Sequence, residues 1–216
     1  MTNVSNLPFG GAPIAKVGIE QFHHPRPVGV GRGSSIQPTE QRKRLLAGLT
    51  GLVVEYGAGD GVKLSCYPSS VQEIILVEPD PFLRGAAEQI ASGSVIPSRV
   101  VDGSLTRLPV PDQSCDAVVF SLVLCCAPLQ SALAEARRVL RPGGELRFYE
   151  HVRSPNPLFA LTEALVTPIW SAASGGCHPT RNPLPAIEAA GFTVAHLERF
   201  VFLHISHVLG AATSRG

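Results

Sequence analysis

No stretch of the 216-residue chain is apolar for long enough to cross a bilayer. The longest, from Ala117 to Pro128, falls far short of the roughly 20 residues a membrane span requires. A basic cluster is also missing. Arg42-Lys43-Arg44 is short, lies in a helix-like segment and reads as a solvated face, and the formal charge is only +1. Neither a nucleic-acid footprint nor a polyanionic partner is indicated. Cysteine is sparse and unpatterned: Cys66, Cys115, Cys125, Cys126 and Cys177 make an odd set with no C-x-x-C spacing. That argues against a disulfide framework or a structural zinc site, and it suits a reducing compartment. The first thirty residues hold neither the cationic start nor the apolar core of a secretory signal. These absences predict a soluble, cytoplasmic protein with no membrane or nucleic-acid partner and no metal ligands.

What is present is ordinary for a globular chain: 44% apolar and 16% charged residues in 22.8 kDa, enough for one domain with a sizeable core. Residues 1–37 are rich in Gly and Pro and show no period, so an irregular arm is expected there. His23-His24, within it, has too few companions for a metal site. A single domain over 38–216 should follow, opening on a short helical stretch from Pro38-Thr39-Glu40 to Leu49. Apolar runs then alternate with helical patterns. Leu52-Val53-Val54 leads into a glycine loop, Ile74-Ile75-Leu76-Val77 ends in Glu78, and 95–101 ends in Asp102. Ala117-Val118-Val119-Phe120 ends in Ser121, and Leu146-Arg147-Phe148-Tyr149 ends in Glu150-His151. Between the last two, Leu129, Ala132, Leu133, Ala136 and Leu140 recur at amphipathic helical spacing.

Runs that are apolar throughout imply strands buried on both faces, hence an α/β doubly wound, mostly parallel sheet with helices on both sides and right-handed crossovers. After His151 the pattern changes. Leu158 to Trp170 is apolar and helix-like, with an interruption expected at Pro168. A loop, Ser174-Gly175-Gly176-Cys177-His178-Pro179, follows. A helix from Asn182-Pro183 to Ala190 and two final strands, Phe192–Val194 and Phe200–Leu203, complete the chain. In such sheets the ligand sits beyond the carboxyl ends of the strands.

The glycine loop is Glu55-Tyr56-Gly57-Ala58-Gly59-Asp60-Gly61. A strand, a tight Gly turn and a helix start present backbone N–H groups and a positive helix end to a ligand. The spacing is G-x-G-x-G, and Val62 stands where a dinucleotide fold expects its third glycine, which disfavours a nicotinamide oxidoreductase. Glu78 ends the next strand about 20 residues on, where an acid accepts ribose hydroxyls and disfavours a 2′-phosphate.

Glu55-x-Gly57-x-Gly59-x-Gly61, Glu78-Pro79-Asp80, Leu108-Pro109-Val110-Pro111-Asp112-x-x-x-Asp116 and Leu140-Arg141-Pro142-Gly143-Gly144 resemble the class I S-adenosylmethionine methyltransferases, a Rossmann-like seven-stranded fold. The small-molecule branch that includes ubiquinone/menaquinone-biosynthesis enzymes is the most similar. Leu122-Val123-Leu124-Cys125, Tyr149-Glu150-His151-Val152 and Gly176-Cys177-x-x-Thr180-Arg181 further resemble methyltransferase-like thiol S-methyltransferases.

The resemblance implies S-adenosylmethionine as cofactor, S-adenosylhomocysteine as product and a small-molecule methyl acceptor. It implies Gly57, Ala58 and Gly59 along the methionine part, Glu55 near its ammonium, Glu78 on the ribose and Pro79 beside the adenine. Asp102-Gly103-Ser104 would meet the adenine edge. The family's usual Asp after that Gly is Ser104 here, so either Asp102 or Ser104 takes the amino group. Ser121 and Leu122 would contact the cofactor through backbone groups.

A sulfonium methyl is already activated, so the protein mainly has to align the nucleophile, and a base matters only if the acceptor is protonated. His151, at a strand end and titrating near neutrality, is the candidate base, or else a histidine held structurally there. Cys125-Cys126 read as small buried residues. Tyr67, Trp170 and His178 are candidates for the substrate pocket, under a cover formed by 155–180 and the arm. Sulfur is the favoured acceptor atom, with oxygen, nitrogen and carbon open. A non-methylating cyclase or pericyclase that keeps the cofactor for its charge is the alternative.

Overall fold

The computed structural model describes residues 39–104, 107–174, 176–202 and 205–214. The expected arm over 1–37 with His23 and His24, together with Gly175 and Leu203, lies outside the described residues. In chain order the elements are α1 (Glu40–Leu46), β1 (Gly51–Tyr56), a one-turn 3₁₀ helix (Val62–Cys66), β2 (Val71–Val77), α2 (Pro81–Ala91) and β3 (Ser98–Val101). They continue with β4 (Cys115–Ser121), α3 (Leu129–Val139), β5 (Leu140–His151), α4 (Pro157–Ala173), α5 (Leu184–Ala189), β6 (Phe192–Phe202) and β7 (Ile205–Ser214).

The seven strands form one sheet in the order β3-β2-β1-β4-β5-β7-β6. β1 to β5 run parallel, and β7 is antiparallel to both of its neighbours. Alternate residues of each strand go to opposite faces. Val54, Val118, Phe120, Leu146 and Phe148 pack beneath Leu133 and Ala136 of α3 and Ile187 of α5. Val53, Ile74, Val119 and Tyr149 pack against Leu45 and Leu46 of α1 and Leu64 of the 3₁₀ helix. Both faces are covered, which is why the central strands read as unbroken apolar runs. The expected doubly wound α/β fold is the one formed.

Polar staples set the strand starts and the turns. The Asp116 carboxylate accepts from the Leu52 N–H and from Arg141, each at 2.7 Å, joining the beginnings of β1, β4 and β5. Arg138 of α3 donates to the carbonyls of Leu108 and Val110, fastening that loop against the helix. Asp80 caps α2 by accepting from Phe82 and Leu83 N–H, with Pro81 as the first helical residue.

Three differences from the sequence expectation have physical causes. Both segments expected as final strands belong to the single strand β6, and the last strand is instead Ile205–Ser214. β6 is the sheet edge and carries His196, Glu198 and Arg199 mid-strand, so no apolar continuity marks it. β7 is internal, yet its second half, Gly210 to Ser214, is built from small residues; a Cβ at Gly210 would come within 2.5 Å of the Phe148 ring. Finally, α4 runs through Pro168, giving up one backbone hydrogen bond there. Among the described residues no helix is long and apolar enough to cross a membrane.

Candidate active site

The order of the sheet places its switch point between β1 and β4: the chain leaves β1 outward to β2 and β3, then returns to β4. A ligand crevice opens beyond the carboxyl ends of strands at that point. At the end of β1 the glycine loop turns with Gly57, Gly59 and Gly61 all in the left-handed region, at φ 61°, 63° and 79°. A Cβ on Gly57 would strike Val123 at 2.6 Å, whereas one on Gly59 would meet nothing within 4 Å. The loop is therefore packed on one side and open on the other.

Glu78, at the end of β2, is buried and holds the loop from behind. Its carboxylate accepts from the Gly59 N–H at 2.7 Å and the Asp80 N–H at 3.0 Å. Burial raises its pKa, opposed by those two amides. A carboxylate offers about four acceptor sites, so two remain for donors of a ligand. Arg84 donates to the carbonyls of Glu78 and Pro79 and pairs with Asp102 at 3.3 Å, tying the ends of β2 and β3 together. The Asp102 side chain is largely exposed, Gly103 packs under Val77, and Ser104 is half-buried beside Arg107.

Glu55 is engaged more fully than the sequence suggests. Its Oε2 accepts from the Tyr67 hydroxyl at 2.7 Å, and Lys63 Nζ lies 2.7 Å from Oε1 as an ion pair, off the axis of an aligned hydrogen bond. All three residues are buried. Burial and the adjacent carboxylate push the Tyr67 hydroxyl well above its ordinary value. Lys63 carried no signal in the sequence, since nothing in a helical turn announces a buried cation.

Among the described residues two buried hydroxyls are left without a partner, Tyr56 Oη and Ser121 Oγ. They belong to the last residues of the adjacent strands β1 and β4. Burial keeps the Tyr56 hydroxyl protonated, well above its ordinary value. Leu122, next in the chain, is held at φ 60° with its N–H donated to the Tyr149 carbonyl at 2.7 Å. A strained non-glycine residue beside unsatisfied buried hydroxyls is the signature of a built site. With an open glycine loop and an amide-held acid, these residues fit a cofactor carrying a ribose and a charged tail.

At the end of β5, Glu150 is fully buried and its carboxylate accepts from the N–H groups of Val123, Leu124 and Cys125 at 3.0, 3.0 and 3.1 Å. Burial raises its pKa to about 7 against the pull of those amides. It locks the turn after β4 onto β5. The same turn is gripped from the other side: the His178 N–H donates to the Cys125 carbonyl at 3.0 Å, and Arg181 donates to Ala127 O at 2.6 Å and Leu124 O at 3.3 Å.

Cys177 is thereby brought to Cys125, with sulfurs 3.4 Å apart, and His151 Nδ1 lies 3.1 Å from Cys177 Sγ. The thiols of Cys125 and Cys126, then the His151 ring, hold Cys177 well below its ordinary pKa. Cys125, which hydrogen-bonds Cys126 and Cys177 and is buried, is pushed upward. The His151 ring lies 4.7 Å from that of His207 and meets Trp170 edge-on at 6.2 Å. Burial lowers His207 to about 4. Its Nδ1 lies 2.8 Å from the Ile205 carbonyl.

Residues 54–148 match the methyltransferase-domain family. The chain is similar to the thiol S-methyltransferase TMT1B of Mus musculus, 34% identical over 179 residues covering 77% of this chain and 73% of that protein. TMT1B of Rattus norvegicus is 32% identical over 170 residues, 74% of this chain and 69% of that one. The chain belongs to the S-adenosylmethionine-dependent methyltransferases. In fold it is similar to a geranyl diphosphate methyltransferase solved with S-adenosylmethionine, with a TM-score of 0.63 at 14% identity over 79% of this chain and 82% of that one.

Within this methyltransferase the remaining expected residues fall in two places. Trp170 and His178 stand with His151 near the β4 and β5 ends, Trp170 partly exposed and His178 half-buried. Tyr67 lies instead under the glycine loop, bound to Glu55. The methyltransferase also has a concavity lined by Gly48, Asp116, Arg141 and Gly143, at the strand starts, the end of the sheet away from all of these groups. Helix α4 exposes Leu158, Leu161, Leu165 and Ile169.

Proposed function

We propose that this methyltransferase methylates the sulfur of a small-molecule thiol. The carrying observation is the grouping of His151, Cys125, Cys177 and Trp170 at the ends of β4 and β5. His151 stands only two residues beyond Tyr149, the register partner of Ser121, so an acceptor there abuts the proposed cofactor crevice. The activity for which those relatives are named, thiol S-methylation, points the same way.

In this reading Gly57, Ala58 and Gly59 border the methionine part of the cofactor, Glu78 the ribose, Pro79 the adenine face and Asp102 to Ser104 its edge. Ser121 and Leu122 complete the crevice at the switch point, where the Ser121 hydroxyl supplies a partner for a polar group of the ligand. Glu55 acts through Lys63 and Tyr67 in shaping the loop. Bound S-adenosylmethionine would supply an activated methyl group, and the residues at the β4 and β5 ends would hold the acceptor sulfur in line with it. His151 takes the acceptor's proton and passes it to solvent. A thiol with an ordinary pKa of about 8.5 needs only this weak assistance. Residues 155–180 cover the acceptor, presenting Trp170 and the loop around Cys177.

The test is a steady-state comparison of small thiols, phenols, amines and quinols as acceptors. Thiols should show kcat/KM at least about 10-fold above any other class, since a site built around one polar group discriminates by more than that. Equal or better turnover of an oxygen or nitrogen acceptor would overturn the assignment.

A further inference from the structure

We propose that Cys125, Cys177 and His151 form a site for a thiophilic divalent cation of the zinc class, with its fourth position open to the sulfur of the methyl acceptor. The donor atoms of the three residues all lie within 4.8 Å of one another. Tetrahedral zinc, with bonds of about 2.3 Å to sulfur and about 2.0–2.1 Å to nitrogen, spaces two sulfurs about 3.8 Å and a sulfur and nitrogen about 3.6 Å apart. The protein sets Cys125 Sγ to Cys177 Sγ at 3.4 Å and Cys177 Sγ to His151 Nδ1 at 3.1 Å. These two gaps would open by a few tenths of an ångström to receive the ion, and the Cys125–His151 separation, within 4.8 Å, completes the triangle.

The donors are positioned by groups that do not depend on the ion. Glu150 fixes the Cys125 backbone, His178 and Arg181 return the Cys177 loop to it, and the Val152 N–H to Ser206 O bond of 2.9 Å anchors the strand beyond His151. Cys126 Sγ, 3.6 Å from Cys125 Sγ, stands beside the trio. Two thiolates and an imidazole select zinc-like ions over magnesium or calcium, and three protein ligands with one place left are the arrangement of a catalytic rather than a structural zinc site.

The occupant of that place rests on the thiol reading above; the cation site itself does not. A thiol bound to the cation is deprotonated on coordination, its proton leaving to solvent, and keeps a lone pair for the methyl carbon. His151 is then a ligand, and it takes the proton only in the cation-free protein.

The experiment is cobalt(II) titration of the reduced full-length protein, followed by absorbance. One equivalent should give a near-ultraviolet thiolate-to-cobalt charge-transfer band with the visible bands of tetrahedral cobalt. Cys125→Ser and Cys177→Ser should each weaken binding by about 100-fold or more, while Cys66→Ser leaves it unchanged. Binding of S-adenosylmethionine by each variant shows that it is folded. Adding a small thiol should shift the visible bands.

Absence of a thiolate band in the wild-type protein, or binding that survives both Cys125→Ser and Cys177→Ser, overturns the site. Oxidation of the two cysteines to a disulfide with no cobalt uptake does the same. A cobalt spectrum that no thiol perturbs overturns the open fourth position alone. Thiol methylation without any cobalt binding would overturn the site and leave the acceptor assignment standing.

Discussion

Glu78 and Glu150 are buried carboxylates held by backbone amides rather than by a salt bridge, and their behaviour separates binding from stability. Glu78 faces the proposed ribose position. Replacing it with Ala removes charge-assisted hydrogen bonds, each worth about 1.5–3 kcal/mol, so S-adenosylmethionine binding measured by calorimetry should weaken at least about 10-fold. An unchanged Kd would remove Glu78 from the site.

Glu150 titrates in a different window. Burial raises its pKa from 4.5 to about 7, so the folded state binds its proton more tightly than the unfolded state does. Its contribution to stability is fully present below about pH 4.5 and is lost as pH rises through about 7. His207, lowered to about 4, acts in the opposite sense, its contribution being lost as pH falls. The clean observable is therefore the difference between wild type and Glu150→Gln, in which His207 cancels. From pH 7 down to pH 4.5 the wild type should gain up to roughly 3 kcal/mol on the variant in denaturant unfolding. A flat difference would contradict the assignment.

At this scale the glycine loop and Glu78 were legible because their chemistry is carried by contiguous residues and a fixed interval. Glu150, Lys63 and the Cys125–His151–Cys177 group were not. Their partners lie on other elements, and Cys177 is 52 residues from Cys125 in sequence. Cysteine spacing along the chain sees only neighbours in sequence, so it does not register this grouping.

Among elements, the segment after α4 is the one that the proposed function sets over the acceptor. Arg181 holds it by donating to the carbonyls of Ala127 and Leu124. Arg181→Ala leaves both carbonyls without that donor, a loss of about 1–3 kcal/mol of local stability. Amide exchange should quicken across 176–181, and KM for the acceptor should rise several-fold while Kd for S-adenosylmethionine stays within about 2-fold. Equal effects on both would mean that the loop supports the cofactor crevice instead. The parallel strands were readable from their apolar runs, and α3 from its period. The β6–β7 pair was not, because an exposed edge strand and an internal strand of small residues both lack the contrast that periodicity detects.

For the molecule as a whole, the sheet order gathers the proposed functional groups at one end, beyond the carboxyl ends of β1 to β5. The family and the fold of the cofactor half were legible, since the family's motifs run in order along residues 50 to 151. The grouping of Cys177 with Cys125 and His151 was not, because it arises from packing of the loop after α4 against that frame. The most direct measurement is a single-turnover reaction with methyl-labelled S-adenosylmethionine and a small thiol, with both products quantified. The account predicts one label in the thioether for each S-adenosylhomocysteine released. Tight cofactor binding with no S-adenosylhomocysteine formed, or label recovered on oxygen, nitrogen or carbon in preference to sulfur, would contradict it.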